Sequence, residues 1–309
     1  MENTPIKTAI IIPAFNEAGK IAHIIEQLIS LRGDKPWEII VVNDGSSDNT
    51  GEIIDRYKDK ITTHHHISNH GYGASLKSGI LYTRARDVVF LDADGQHDPE
   101  NIPQMLTLLE EYEFVIGSRK DQAGVPHARK PGKWVLGKVV NFLVNKKIHD
   151  VNCGFRGGRR HLYMRMLELL PDGFSFSTTS LVYALSSRYK YCFQEIESLK
   201  REGSPSSVRI IYDGVKTLLL CLRLIMLFDP FRALGYPAIV LILSGLAYQI
   251  YIFVYSGWNV VEASILCILS GIILFFFGLL GDQVAAMRKE LSSQNSLLME
   301  RINEGPDLH

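Results

Sequence analysis

The chain has 309 residues, with 33 basic and 33 acidic side chains and no net charge. That balance argues against a general nucleic-acid binder, which carries a basic surplus, and the length allows one sizeable soluble domain plus something smaller. The four cysteines, Cys153, Cys192, Cys221 and Cys267, form no C-x-x-C pair, so reduced thiols are expected and a zinc site is not.

The first residues carry neither a basic n-region nor an apolar h-region, so no secretory signal is expected. Ala9-Ile10-Ile11-Ile12, closed by Pro13, predicts a buried parallel strand. Ile21, Ile24, Ile25 and Leu28 then recur at helical spacing. A second strand over 37–42 runs into Asn43-Asp44-Gly45-Ser46-Ser47-Asp48-Asn49-Thr50, a stretch of turn formers and helix caps. A third strand is expected over 61–67, and Gly71-Tyr72-Gly73 opens the next helix. His64-His65-His66 cannot converge on one ion, because neighbouring strand residues face opposite ways; solvated strand residues are expected there.

The chain is organised around Val88-Val89-Phe90-Leu91-Asp92-Ala93-Asp94-Gly95-Gln96-His97-Asp98-Pro99. An apolar run ends abruptly in carboxylates. Read as a strand, it points Asp92 and Asp94 to the same side, where they repel unless a cation lies between them. Oxygen donors suit Mg²⁺ or Mn²⁺, and such an ion completes its shell with water and substrate phosphates. Asp and Gly are also ordinary turn residues, so the motif needs its neighbours to carry weight. A helix over 99–112 and a strand over 114–119 follow. Strands alternating with helices predict an α/β fold, a mainly parallel sheet with helices on both faces. Ligands in such sheets sit beyond the carboxyl ends of the strands.

Past residue 124 the pattern weakens. Helices are expected over 134–148, 162–170 and 179–188, with polar loops at 150–156 and 201–207. Residues 215–228 carry Leu218, Leu219, Leu222, Ile225 and Met226 interrupted by Lys216 and Arg223, the pattern of a helix in a membrane interface or of a buried core helix. Residues 233–261 and 263–281 contain no charge, and each is long enough to cross a bilayer core of roughly 30 Å. Arg209, Lys216, Arg223 and Arg232 precede the pair, Arg288 and Lys289 follow it, and its connector has no Lys or Arg. Both ends are therefore expected in the cytoplasm. With no charge in either span, the pair predicts an anchor rather than a channel. The expected divisions are 1–209 catalytic, 210–232 interfacial, 233–283 a hairpin with spans near 234–256 and 263–281, and 284–309 a cytoplasmic tail that is a candidate homo-oligomer contact.

Taken together, Ile11-Ile12-Pro13-Ala14-Phe15-Asn16-Glu17, Val42-Asn43-Asp44-Gly45-Ser46-Ser47-Asp48, Gly71-Tyr72-Gly73-Ala74 and Leu91-Asp92-Ala93-Asp94-Gly95-Gln96 resemble family 2 glycosyltransferases of GT-A fold. The hairpin narrows the resemblance to membrane-anchored polyprenyl-phosphate glycosyltransferases, similar to dolichyl-phosphate mannose synthase and the bactoprenyl glucosyltransferases. The resemblance implies that Pro13, Ala14, Phe15, Glu17 and Asp44 line the base and ribose of a nucleotide-sugar donor. It adds Lys77, Asp92 and Ala93 to the donor site, and Asp92, Asp94 and Gln96 to a Mg²⁺ or Mn²⁺ site. It also places Arg119, Arg129, Arg201 and Ser204 at the phosphate of the lipid acceptor, with Arg156 a candidate near the sugar.

A polyprenyl phosphate is already an anion at neutral pH, so its transferase needs cations to place it rather than a strong base. Asp94, Arg119 and Arg201 are then the expected catalytic groups, and a single in-line displacement inverts the anomeric centre, as the family does. Transfer to another lipid hydroxyl would instead need a base, with Asp150 or Asp98 available. An inactive scaffold of the same fold is opposed by the intact Asp92, Asp94 and Gln96. The loop wording Asp150-Val151-Asn152-Cys153-Gly154-Phe155 departs from the family's commonest form, so the sugar does not follow by analogy. No Q-x-x-R-W signature is present, which argues against a polysaccharide synthase.

Overall fold

A computed structural model describes residues 6–119, 130–148, 150–187, 189–197 and 210–304. Arg129, Arg201 and Ser204 lie outside the described residues. The chain divides into two compact units, one of Met1–Gly214 with Ser292–His309, the other of Val215–Leu291.

In the first unit, β1 (Thr8–Ala14), β2 (Trp37–Asn43), β3 (Thr62–His65) and β4 (Asp87–Phe90) alternate with α1 (Ile21–Arg32), α2 (Thr50–Asp55) and α3 (Tyr72–Tyr82). A 3-10 turn (Pro99–Asn101) leads to α4 (Ile102–Glu111), β5 (Phe114–Arg119) and α5 (Lys130–Val144). β6 (Arg156–Arg159), α6 (Arg160–Met166), α7 (Phe176–Ser186) and β7 (Tyr191–Ile196) follow. The sheet order is β3-β2-β1-β4-β6-β5-β7, parallel except for β6, which runs against both β4 and β5.

β1 shows why the parallel core forms. Ile10, Ile11 and Ile12 are fully buried, each worth about 1.5–3 kcal/mol of apolar transfer. Alternation sends Ile10 and Ile12 into one core, with Ile21, Ile25 and Leu28 of α1 and Met105 and Leu109 of α4. Ile11 turns to the other face, so close to α3 that a Cβ at Gly79 would fall 2.4 Å from its Cγ2. Further along that face Phe90, Tyr163, Phe114 and Phe176 form an aromatic cluster, with Phe90 and Tyr163 centroids 4.9 Å apart.

Two strands lie where none was expected, β6 and β7. β6 reads Arg156-Gly157-Gly158-Arg159 and supplies no apolar side chain. Its neighbours fill the space: a Cβ at Gly157 would meet Met105 and Leu109 at 3.0 Å, and one at Gly158 would meet Tyr163 at 2.9 Å. Its register is held by Arg159, paired across the ladder with Asp87, whose buried carboxylate accepts from Nη1 at 2.7 Å. The histidines of β3 also differ from expectation. His65 bonds Asn43 at 3.0 Å and His66, just past the strand, is tied to Asp44 and Ser78 rather than solvated.

α8 (Ile210–Phe228) leads to the second unit, built on α9 (Pro230–Ser256) and α10 (Glu262–Glu304). Two stretches are long and apolar enough to cross a membrane, Pro230–Ser256 with mean hydropathy 2.0 and Glu262–Asn295 with 2.6. Gln249 ties the connector to the start of α10: Nε2 donates to Asn259 O at 2.8 Å, and Oε1 accepts from Val261 N and the Ser264 hydroxyl. That bond satisfies a backbone donor at a helix start. The tail is not a separate helix. α10 runs unbroken to Glu304, and within the first unit Ser292 Oγ donates to Arg165 O at 2.6 Å and Asn295 Nδ2 to Glu168 at 2.7 Å.

Candidate active site

The loops after β1, β2 and β4 meet at the carboxyl ends of their strands. Asn16 takes a positive φ of 56°, a conformation Asn tolerates better than most residues. This lets its Oδ1 accept from Ser47 N at 2.8 Å while its own N–H donates to Ser46 Oγ at 3.0 Å. Glu17 N donates to Thr50 Oγ1 at 2.9 Å, so the β1 and β2 loops are stitched together by polar side chains. Phe15 stands out of this seam, 45% exposed, a ring free to stack on a planar base. Pro13 and Ala14 are buried in the sheet beneath it and present backbone rather than side chain to any ligand.

Asp44 is turned inward. Its carboxylate accepts from His70 N at 3.0 Å, Gly71 N at 2.8 Å and His66 Nδ1 at 2.7 Å. It therefore fixes the loop that starts α3 and retains little free acceptor capacity for a base. Gly71, at φ 105°, and Gly73 lie against the 171–173 backbone, where a Cβ would fall 2.5 Å from Asp172 O and 2.2 Å from Pro171 O respectively. Only glycine permits that approach. Lys77 reaches from α3 to Asp172 at 2.7 Å. The four donor-side motifs thus gather at one end of the sheet, but two of their polar groups, Asp44 and Lys77, are engaged within the chain.

β4 ends at Phe90, so Asp92 and Asp94 stand on the turn beyond the strand rather than on it. Asp94 Oδ1 accepts from Gln96 N at 3.0 Å, and Lys20 Nζ donates to Asp94 O at 2.8 Å. Ala93, buried between the two carboxylates, plugs the turn into the core. Asp92 accepts a hydrogen bond on one oxygen and has a histidine near the other. Tyr72 OH donates to Oδ1 at 2.8 Å, and His97 Nε2 lies 3.7 Å from Oδ2. The backbone of Gly154 covers the same carboxylate, and a Cβ there would fall 2.2 Å from Oδ2. Burial pushes the Asp92 carboxyl above its ordinary range and the Asp94 charge adds to this, with His97, Tyr72 and Arg156 opposing. Burial lowers His97, against the pull of Asp92 and Asp94.

Among the described residues no three His, Cys, Asp or Glu side chains form a closed cage for a metal ion. A divalent ion shared with a diphosphate does not need one; one or two carboxylates suffice. The half-buried Asp94 fits that role, since among the described residues its side chain bonds Gln96 N alone. Asp92, already bonded to Tyr72 and packed under Gly154, fits it less well than the sequence reading supposed.

At the end of β5, Arg119 forms a two-point pair with Asp150, Nε to Oδ2 at 2.6 Å and Nη2 to Oδ1 at 2.9 Å. Among the described residues, two of its five N–H groups are used, and the others have the geometry to bind an anion. Burial works to raise Asp150, but the Arg119 bond and charge prevail and hold it below the usual carboxylate range. Arg156 is no sugar contact: fully buried, it donates to the backbone of Cys153 and Ser177 and to Ser180 Oγ at 3.1 Å. It braces the 153–155 loop that presses Gly154 onto Asp92. Asp98 caps the 3-10 turn through Glu100 N at 3.0 Å. Tyr72, His97 and Gly154 are the site residues that sequence reasoning passed over. The first two lay inside motifs quoted for other residues, and nothing in a glycine announces a buried carboxylate beside it.

A mostly parallel sheet carrying an Asp-x-Asp turn at its carboxyl edge, followed by two helices of membrane-crossing length, is the architecture of a GT-A-type domain with a C-terminal hairpin. Residues 9–167 match the model for glycosyl transferase family 2, and residues 229–287 match the GtrB C-terminal hairpin. The chain belongs to glycosyl transferase family 2 and is a glycosyltransferase. Among curated proteins it is 24% identical to undecaprenyl-phosphate 4-deoxy-4-formamido-L-arabinose transferase of Yersinia enterocolitica, over 96% of this chain and 93% of that one. It is 31% identical to dolichyl-phosphate beta-glucosyltransferase ALG5C of Trichomonas vaginalis, over 49% of this chain and 51% of that one. Among solved structures, glucosyl-3-phosphoglycerate synthase of Mycobacterium tuberculosis with Mn²⁺, uridine diphosphate and glucosyl-3-phosphoglycerate shares the fold at TM-score 0.55. That pair is 18% identical, covering 70% of this chain and 79% of the other.

Proposed function

We propose that this protein transfers one sugar from a nucleoside-diphosphate sugar to a polyprenyl phosphate at a membrane surface. The observation that carries the reading is the union of an Asp92–Asp94 turn of GT-A type with a GtrB-type hairpin. The two relatives named above act, by their names, on undecaprenyl and dolichyl phosphates. Phe15 stacks the base, and Asp94 with Gln96 holds the diphosphate end of the donor. A bound Mg²⁺ or Mn²⁺ would supply charge neutralisation of the departing nucleoside diphosphate. Tyr72 and Gly154 keep the Asp92 carboxylate fixed beside it. Attack by the acceptor phosphate oxygen on the anomeric carbon, in line with the leaving group, inverts that centre. Arg119, with Arg129, Arg201 and Ser204, places the acceptor phosphate.

The state of the two candidate bases favours a phosphate over a hydroxyl acceptor. Asp150 is clamped by Arg119 and held below its usual range, and Asp98 caps a turn. A hydroxyl nucleophile would need one of them free. The basic residues flanking the hairpin put the catalytic unit in the cytoplasm, at the inner membrane of a prokaryote or the endoplasmic reticulum of a eukaryote. α8 lies in the interface: Val215, Leu218, Leu219, Leu222 and Met226 are all exposed.

A donor panel tests this. Membranes containing the protein receive undecaprenyl or dolichyl phosphate, radiolabelled UDP- or GDP-sugars, and Mg²⁺ or Mn²⁺. One donor yields a lipid-soluble labelled product, and chelation abolishes it. Label appearing only on a neutral lipid would select the hydroxyl acceptor instead.

A further inference from the structure

The loop between α6 and α7 holds an aromatic ring that neither the core nor the reaction described above accounts for. Phe174 is 86% exposed, the most exposed phenylalanine among the described residues. A single exposed ring on a free loop would need no explanation, but this loop is pinned from both sides. Ala74 N donates to Asp172 O at 3.0 Å, and Lys77 Nζ pairs with the Asp172 carboxylate at 2.7 Å. Gly71 and Gly73 lie against its backbone more closely than any side chain would allow. On the far side Phe176 N donates to Gly173 O at 3.1 Å, and the Phe176 ring is fully buried. Phe174 is therefore presented on a fixed frame.

Tyr72 sets its place. The two rings stack, with centroids 5.5 Å apart and planes 16° from parallel, and the Tyr72 hydroxyl donates to Asp92 Oδ1 at 2.8 Å. One residue thus separates the exposed ring from the carboxylate turn beyond β4. The surroundings of the ring are polar. An isoprenoid chain calls for a continuous apolar surface, yet Phe174 stands between Asp172-Gly173 and Ser175, with the Asp172 side chain 67% exposed beside Lys77. An aromatic face bordered by a carboxylate, an ammonium and a hydroxyl suits a pyranose. The axial C–H bonds of one sugar face lie on the ring, and the hydroxyl groups at the sugar's edge meet charged and polar partners.

We propose that Phe174 is a stacking platform for the sugar ring of the nucleotide-sugar donor. It touches the sugar rather than the base or the diphosphate, and it favours pyranoses with an uninterrupted C–H face. The proposal rests on the donor class in the proposed function and adds to it a residue that reads the sugar.

The test uses the full chain in detergent micelles with Mg²⁺, titrated calorimetrically with two pairs of probes, UDP-glucose against UDP and GDP-mannose against GDP. For the pair that the wild type binds, Phe174→Ala and Phe174→Leu should weaken the nucleotide sugar about fivefold and leave the free nucleoside diphosphate unchanged. Phe174→Trp, which keeps an aromatic face, should bind both as the wild type does. Because the ring is exposed, the melting temperature should hold in all three variants. Equal weakening of nucleotide sugar and free diphosphate overturns the proposal and would mean that the ring supports the Asp92 turn through Tyr72. No weakening of either overturns it by placing the ring outside the donor site. In transfer assays, a rise in KM confined to the polyprenyl phosphate would overturn it too and assign the ring to the isoprenoid. A wild type that binds none of the four probes refutes the donor class itself, whereas one that binds a pair without regard to residue 174 refutes only the stacking platform.

Discussion

The proposed donor side and the proposed acceptor side of the first unit are built by opposite means. On the donor side, β1, β2 and β4 are apolar runs and their loops are short polar motifs, so chemistry and scaffold are separate in sequence. On the acceptor side, between 150 and 197, scaffold and chemistry share residues. Arg156 is a buried strut, Asp150 neutralises Arg119, and Gly154 serves by having no side chain. The donor side is a platform bearing ligands, whereas the acceptor side is a set of clamps that hold the platform's groups in place. Substitutions on the first should remove chemistry and leave the fold. Substitutions on the second should disturb both.

The sharpest test of the donor half is Asp94→Ala. Among the described residues its carboxylate accepts from Gln96 N alone, so folding should be little changed, while transfer measured with labelled donor should drop about 1,000-fold. Crossing the divide, Gly154→Ala should act on Asp92 from the acceptor side. The added Cβ has no room beside Oδ2, and displacement of a positioned group by about 1 Å can cost about 100-fold in rate. An unchanged rate in that variant would mean Asp92 does not need its present position.

Asp150→Asn should reveal the clamp as stability. Leaving Arg119 largely buried without its partner should cost about 3 kcal/mol in chemical denaturation of the detergent-solubilised protein. The pH dependence follows from the direction of the Asp150 shift. Its folded-state value lies below the ordinary 3.8, so the pair's contribution is complete above the ordinary value and is lost as pH falls through the lowered one. Wild type and variant should therefore differ in denaturation midpoint at neutral pH and converge in strong acid. The smallest effect expected is that of Tyr72→Phe, which removes one charge-assisted hydrogen bond to Asp92. A rate loss of about tenfold with an unchanged melting temperature would fit that single bond.

The same contrast explains what was readable beforehand. Strands β1, β2, β4 and β5 announce themselves because their side chains must fill both faces of a parallel sheet. β6 cannot, since bulky neighbours such as Met105 and Tyr163 occupy the space its own side chains would take. The two carboxylates after β4 were legible as a pair, but their placement was not: β4 stops at Phe90, and the turn after it decides which oxygens are engaged. Arg119 was legible as a cation at the end of β5. Its partner was not, because Asp150 lies 31 residues further along and charge pairing across that distance leaves no periodic trace. The hairpin was evident from uncharged length alone, whereas the union of its second helix with the tail was not, because polarity changes near Asp282 without any helix breaker.

That unbroken α10 has a bearing on how the protein is made. Ser292 and Asn295 brace Arg165 and Glu168, yet they leave the ribosome after both apolar helices have been synthesised. These two hydrogen bonds of the globular part therefore form only after residues 230–291 have been translated, so its last contacts come from the far side of the apolar pair.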